Sequence, residues 1–118
     1  MAGSYRDLLV WRKSIAFVLA IYRATEAFPP KEQFGLTSQL RRAAVSVPSN
    51  IAEGQAHHSH PDFKRFLRLA KGSLAEIDTQ LIIAFKLDYI GKEQATELSM
   101  TAAELGRMLS GLLAKLKD

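Results

Sequence analysis

The sequence predicts an all-α protein that folds as an antiparallel, up-down-up-down four-helix bundle. Apolar residues recur every three or four positions in four successive segments, which is the spacing of one helix face. Short stretches containing polar residues, glycine or proline separate these segments, and short connections favour antiparallel neighbours. No stretch combines strand-like alternation with β-branched residues, so we expect no sheet.

The first predicted helix spans about residues 7–27 and carries two adjacent apolar stripes. One stripe consists of Leu8, Trp11, Ile15, Val18 and Tyr22, and the other of Val10, Ser14, Phe17, Ile21 and Ala24. Two stripes offer more apolar surface than one partner helix covers. We therefore expect further copies of the chain to cover part of this surface, including Phe17 and Ile21.

The second predicted helix spans about residues 34–54 and contains Pro48 near its middle. Proline removes one backbone donor and crowds the carbonyl of Ala44, so we expect a kink at this point. Small residues surround the proline, which indicates an element that packs closely against its neighbours.

The third predicted helix, about residues 61–87, has a seam with alternating steps of four and three, typical of left-handed packing in bundles. The members of this seam are Phe63, Leu67, Ala70, Leu74, Ile77, Leu81 and Ala84. Ser59 or His60 is its predicted N-cap, and Pro61 falls in its first turn.

The fourth predicted helix, about residues 92–115, follows a short turn in which Gly91 suits a left-handed conformation. Its seam consists of Leu98, Ala102, Leu105, Leu109, Leu112 and Leu116. The flank beside the seam is mostly small, which favours the close approach of a neighbouring backbone and supports self-association. This flank consists of Ser99, Ala103, Gly106, Ser110 and Leu113.

The second helix also carries the motif FGLTSQLRRAA at residues 34–44, followed by VPSNIAEG at residues 47–54. With LLVWRK at residues 8–13 and GSLAE at residues 72–76, this pattern resembles the four-helix-bundle proteins encoded within intervening sequences of bacterial 23S ribosomal RNA genes. The resemblance implies a homopentameric ring with no established catalytic activity. That family is similar to the accessory proteins of diversity-generating retroelements, which are basic helical rings that bind nucleic acid and a reverse transcriptase.

Composition excludes several classes of protein. The chain has 118 residues, enough for one domain with one core, and no cysteine, which excludes disulfides and thiolate metal sites. The first apolar run is interrupted by Arg12 and Lys13, unlike a signal peptide, and no apolar stretch is long enough to span a bilayer. We therefore expect a cytoplasmic protein.

No motif of an enzyme active site is present, and we predict no catalytic residue, cofactor or metal. Glu53 is the most interesting carboxylate, either as a ligand for a cation or as a hydrogen-bond acceptor near the kink; we favour the acceptor. His57, His58 and His60 form a metal-like cluster without supporting ligands, and a solvated loop is the simpler interpretation.

Basic residues supply the main functional candidate. The net charge is +4, and residues 1–75 carry eleven basic and five acidic side chains. The predicted nucleic-acid-binding residues are Arg41, Arg42, Lys64, Arg65, Arg68 and Lys71. The stripe of Lys64, Arg68 and Lys71 continues through Ala75 and Asp78 to Ile82 and Phe85, and we expect this second half to be buried.

Two interpretations of these cations stay open: phosphate binding by shape and charge, or ordinary solvated helix faces. The first makes the protein a nucleic-acid-binding homo-oligomer. Its main alternative is a protein-interaction scaffold that recruits another enzyme, such as a reverse transcriptase, without touching nucleic acid.

Overall fold

Four α-helices form most of the computed structural model, which describes residues 4–116. They are α1 (Leu9–Thr25), α2 (Leu36–Ala56), α3 (His60–Lys86) and α4 (Lys92–Lys115). Short 3₁₀ turns precede α1 at Tyr5–Asp7 and α2 at Pro30–Glu32, and α2 continues through Pro48. The all-α prediction is confirmed. Within residues 4–116, no helix combines the length and apolarity needed to cross a membrane.

Contacts between neighbouring helices define their direction. Ser46 of α2 donates a hydrogen bond to Ser73 of α3, and Gln39, earlier in α2, accepts one from Gln80, later in α3. The ion pair between Lys13 and Glu104, 3.0 Å from nitrogen to oxygen, joins α1 to α4 and closes the cycle of helices. Each helix packs against two neighbours, which confirms the antiparallel four-helix bundle.

Of the two tight turns of the bundle, the one before α3 is capped as expected and the one before α4 is not. Ser59 is the N-cap of α3, since its Oγ accepts a hydrogen bond from the Asp62 backbone at 3.2 Å. The left-handed residue before α4 is Asp88, with φ of 63°, whereas Gly91 has φ of −77°. The prediction for Gly91 is therefore wrong. Aspartate tolerates the left-handed conformation better than most residues, because its short polar side chain can form hydrogen bonds with the nearby backbone.

The core lies where the helix seams meet. Every residue of the predicted α3 seam is buried, from Phe63 at 9% exposure to Ile77 at 0%. In α4 the first four seam residues are buried, whereas Leu112 and Leu116 at its end are half-buried. The spacing of three and four residues therefore identified the core face of both helices.

Of the two apolar stripes on α1, the one from Val10 to Ala24 faces the core. Phe17 is 2% exposed and Ile21 is 0% exposed within a single chain, so the prediction that other copies cover them is wrong. The reason is that α1 packs against both α2 and α4, and the Val10–Ala24 stripe faces the space between them. The stripe that remains at the surface includes Ile15, 37% exposed, and Tyr22, 40% exposed.

The small flank of α4 faces α3 of the same chain. Ser99 donates a hydrogen bond to Asp78 at 3.0 Å, and a Cβ at Gly106 would lie 4.0 Å from Leu74 Cδ1. This is ordinary packing distance. Ser99 and Gly106 are therefore used inside the bundle, whereas Ala103 and Ser110 of the same flank are exposed.

Helix α3 also departs from the prediction at its C-terminal half. Ile82 is 48% exposed and Phe85 is 41% exposed, although we expected both to be buried. The core side of this half is already filled by Ile77, Leu81 and Ala84. The outward stripe therefore changes from cationic to apolar while it stays at the surface.

Candidate nucleic-acid interface

Four of the predicted cations lie together on the first half of α3. Arg65, Arg68 and Lys71 are exposed, and Lys64 is half-buried. Within residues 4–116, no carboxylate pairs with Arg65, Arg68 or Lys71. We call Lys64, Arg65, Arg68 and Lys71 the α3 basic face. The positive charge of Arg65, Arg68 and Lys71 is available to an external anion.

The start of α3 holds part of this face in place. The Arg65 guanidinium lies over the Phe66 ring, 4.3 Å from its centroid. The His57 ring stacks on Phe66 with centroids 5.2 Å apart, and His57 Nδ1 lies 3.7 Å from an Asp62 carboxylate oxygen. Phe66 is itself buried, so it orients Arg65 and His57 and is not available to stack on a nucleobase.

Arg41 does not join the α3 basic face. Its Nε donates a hydrogen bond to Thr25 Oγ1 at 2.8 Å, and its Nη2 donates to the Tyr22 carbonyl at 3.3 Å. The guanidinium also lies 4.6 Å from the Tyr22 ring centroid. Arg41 therefore ties α2 to the last turns of α1, on the side of the bundle away from α3.

Arg42 lies on the α3 side of α2 but at a different height. It lines a groove with Glu76, and the Gln39–Gln80 and Ser46–Ser73 contacts place it level with residues 76 and 77. At 1.5 Å per helical residue, Lys71 is about 9 Å away along the bundle axis and Lys64 about 19 Å. Within one chain, Arg42 is thus separate from most of the α3 basic face.

The polar residues of α2 form local contacts. Asn50 Nδ2 donates a hydrogen bond to the Ser46 carbonyl at 2.7 Å, and Gln39 accepts one from Gln80. Glu53 is exposed, and its side chain makes no hydrogen bond with residues 4–116, so the expected acceptor role near the proline is not found. The bundle buries the α2 stripe from Leu40 to Ile51 and leaves Glu53 outside it.

The loop histidines do not assemble a metal site in the described part of the chain. No group of three or more His, Asp or Glu side chains has ligand geometry within residues 4–116. His58 takes a left-handed conformation with φ of 57°, and it lines a small cavity with Gln55 and His60. His57 instead stacks on Phe66, a contact that sequence reasoning did not foresee.

Sequence reasoning also assigned no role to Phe34, which is 90% exposed. It precedes Gly35 and lies outside the buried stripe of α2, so periodicity alone signals that it is not a core residue. A second unforeseen feature is an open apolar pocket of about 400 Å³ between α3 and α4, with Ile82, Phe85 and Met100 in its wall.

The fold and surface together define a small, basic, all-α four-helix-bundle protein, in which Arg65, Arg68 and Lys71 on one helix face make no ion pair within residues 4–116. Comparison with known families makes this more specific. The model of the 23S rRNA-intervening sequence protein family matches residues 6–111, and the chain belongs to that family.

A similar solved structure comes from Bacteroides thetaiotaomicron and is described as a protein with unknown function from the S23 ribosomal protein family. The two structures share a TM-score of 0.83 at 23% sequence identity, over 91% of this chain and 96% of the other. This likeness supports the fold. No curated protein matches the sequence.

Proposed function

We propose that this protein is a non-enzymatic, self-associating bundle that binds the backbone of RNA or DNA through its α3 basic face. The observation that carries the proposal is the set of exposed cations, Arg65, Arg68 and Lys71, without carboxylate partners in residues 4–116. From Lys64 to Lys71 the face extends about 10 Å along the helix. That length corresponds to roughly three phosphates of one strand.

The chemistry of this face favours binding that depends on charge more than on base sequence. Guanidinium and ammonium groups contact phosphate oxygens, which carry no sequence information. Phe66, the aromatic ring beside Arg65, is buried and leaves no platform for base stacking there. We therefore expect similar affinity for nucleic acids of different sequence.

The test is a titration of fluorescent RNA and DNA oligonucleotides over a range of salt concentrations. Three phosphate contacts per chain give a log-log slope of about −2 to −3. The triple variant Lys64→Glu, Arg68→Glu and Lys71→Glu should lose binding while its helicity and assembly stay unchanged. Binding that does not weaken with salt, or a triple variant that binds like the parent, contradicts the proposal.

A matched control separates the α3 basic face from net charge. The variant with Arg23, Lys31 and Lys86 changed to glutamate has the same net charge as the test variant, and all three residues are exposed and distant from the face. We expect it to bind nearly as tightly as the parent. Equal losses in both variants would mean that total charge, rather than this face, governs binding.

Self-association is the second part of the proposal. Its support is the apolar surface that a single chain leaves exposed, which includes Phe34 at 90%, Met100 at 66% and Ile82 at 48%. The family resemblance implies a homopentamer. Light scattering at micromolar concentration is the test, and a mass of 13.1 kDa, that of one chain, would contradict it.

A second candidate function is a protein-interaction scaffold that recruits an enzyme such as a reverse transcriptase. It is favoured by an apolar groove of about 280 Å³ between α1 and α2, lined in part by Trp11, Ile15 and Pro48. The affinity of such a partner should depend little on salt concentration. An Ile15→Glu variant should not bind it. The same variant should leave oligonucleotide binding unchanged.

A further inference from the structure

Phe34 is an exposed aromatic side chain in a fixed position. It follows the 3₁₀ turn at Pro30–Glu32 and shares a groove between α2 and α3 with Arg42 and Glu76. The Gln39–Gln80 contact places it close to the height of Phe85 along the bundle axis. Phe34 is 90% exposed, so a partner that covered its side chain would gain the free energy of burying it.

The neighbouring side of the bundle carries a pocket at the same height. It lies between the end of α3 and the start of α4, has a volume of about 400 Å³, and is walled mainly by apolar side chains. Ile82, Phe85 and Met100 are 48%, 41% and 66% exposed at its rim. The pocket therefore lacks an apolar occupant, and Phe34 lacks an apolar cover.

We propose that Phe34 of one copy occupies the α3–α4 pocket of the next copy. The contact rests on the self-association proposed above and assigns it to two named surfaces. Because Phe34 and the pocket lie at the same height along the bundle axis, the axes of adjacent copies are parallel in this contact. The interface is heterologous, since the surface with Phe34 and the surface with the pocket are different.

Charge supports this register. Arg42 is exposed about two helical turns from Phe34, and it has no ion pair within residues 4–116. Asp78 is exposed about two turns from Phe85 on the α3–α4 side, where its carboxylate accepts a hydrogen bond from Ser99. Seating Phe34 in the pocket at equal height brings Arg42 toward Asp78 of the next copy, so opposite charges meet.

The angle between the two surfaces determines how the assembly closes. Helices α1 to α4 contact one another in a cycle, so the α2–α3 side and the α3–α4 side are adjacent faces of the bundle. Adjacent faces of a four-helix bundle meet at about a right angle. A heterologous contact between such faces turns each copy relative to the one before it, so the assembly closes into a ring when these rotations add up to a full turn.

The first test compares Phe34→Ala with Leu19→Ala by light scattering across protein concentrations. Leu19 is a matched control, because it is 49% exposed on the outer side of α1. Phe34→Ala should weaken assembly about 30-fold or more, the loss expected for an interface anchor, and give monomers with parental helicity. Leu19→Ala should assemble like the parent.

The second test mixes two defective variants. Ala103→Arg places a charged chain in the pocket from an exposed position of α4, and we expect it to be monomeric like Phe34→Ala. When the two variants are mixed, they should form a one-to-one dimer. The Ala103→Arg variant keeps Phe34, and the Phe34→Ala variant keeps the pocket.

The outcomes separate the two proposals. A parent that is monomeric overturns both self-association and this contact. A Phe34→Ala variant that assembles like its assembling parent overturns the contact alone. Variants that are each monomeric but form no mixed dimer also overturn the pairing of Phe34 with the pocket.

Discussion

Gly54 lies in the last turn of α2, opposite the first turns of α3. A Cβ atom at this position would lie 2.6 Å from Phe66 Cβ and 3.1 Å from Phe63 Cδ1. The first of these atoms is attached to the backbone and cannot rotate away. Glycine disfavours helix by about 1 kcal/mol relative to alanine, and here the cost is offset by the close approach of the two helices.

Replacing this glycine should therefore destabilise the protein. We expect Gly54→Ala to lower the free energy of unfolding by about 1 to 3 kcal/mol, because α2 and α3 must separate. Gly72→Ala is the control, since a Cβ at Gly72 has no neighbouring atom within 4 Å. It should raise the free energy by about 0.5 to 1 kcal/mol. Urea unfolding measures both, and shifts of the same sign would refute the argument.

At the scale of elements, one carboxylate joins the start of α2 to the turn between α3 and α4. Glu32 accepts a hydrogen bond from the Leu36 backbone at 2.9 Å and another from the Tyr89 hydroxyl at 2.9 Å. The first satisfies a backbone donor of the first turn of α2. The second links residues distant in sequence, so it forms only when the bundle is assembled.

These bonds change the pKa of both groups. The Leu36 N–H, and secondarily the Tyr89 hydroxyl, hold the pKa of Glu32 below its ordinary value of 4.5. Donation to Glu32 raises the pKa of Tyr89 above 10.0. The Glu32 contribution to stability is therefore present above pH 4.5 and is lost as the pH falls through the lowered value. The Tyr89 contribution is lost only in strongly alkaline solution.

A pH series of melting temperatures tests this link. Glu32→Gln should melt below the parent at neutral pH, and the difference should vanish as the pH falls through the lowered pKa of Glu32. Glu26→Gln serves as the control, because the Glu26 side chain is exposed and makes no hydrogen bond with residues 4–116. A difference that persists unchanged in acid would exclude the ionised carboxylate as its source.

At the scale of the whole molecule, the two halves of α3 expose different kinds of side chain. The first half carries the α3 basic face, and the second half carries Ile82 and Phe85 beside the pocket. In the proposed ring the apolar contacts lie at one end of each bundle. The basic faces then lie together toward the other end, where several copies reach one polyanion and avidity strengthens weak individual contacts.

Assembly should also appear in thermal stability. Because association binds folded chains and not unfolded ones, the melting temperature of the parent should rise with protein concentration. The Phe34→Ala variant should show a weaker dependence or none. Calorimetry or circular dichroism over about a hundredfold range of concentration measures both. A parent whose melting temperature is independent of concentration would contradict assembly in that range.

The sequence by itself determined the helices, the buried seams of α3 and α4, and the family. These follow from spacing along one helix and from short motifs, which are local properties. The sequence also predicted that Lys64, Arg65, Arg68 and Lys71 lie together on the first half of α3, because residues three or four apart share a helix face.

Only the tertiary structure decided which stripe of α1 is buried and which cations lie together. Those outcomes depend on how far each helix is rotated and shifted against its neighbours, which contacts between distant residues set. Arg41 binds Thr25 and the Tyr22 carbonyl, and Arg42 lies level with Glu76. The separation of these two arginines from the α3 basic face therefore does not follow from the order of residues. The exposure of Phe34 and the pocket on the adjacent face arise in the same way, from the packing of complete helices.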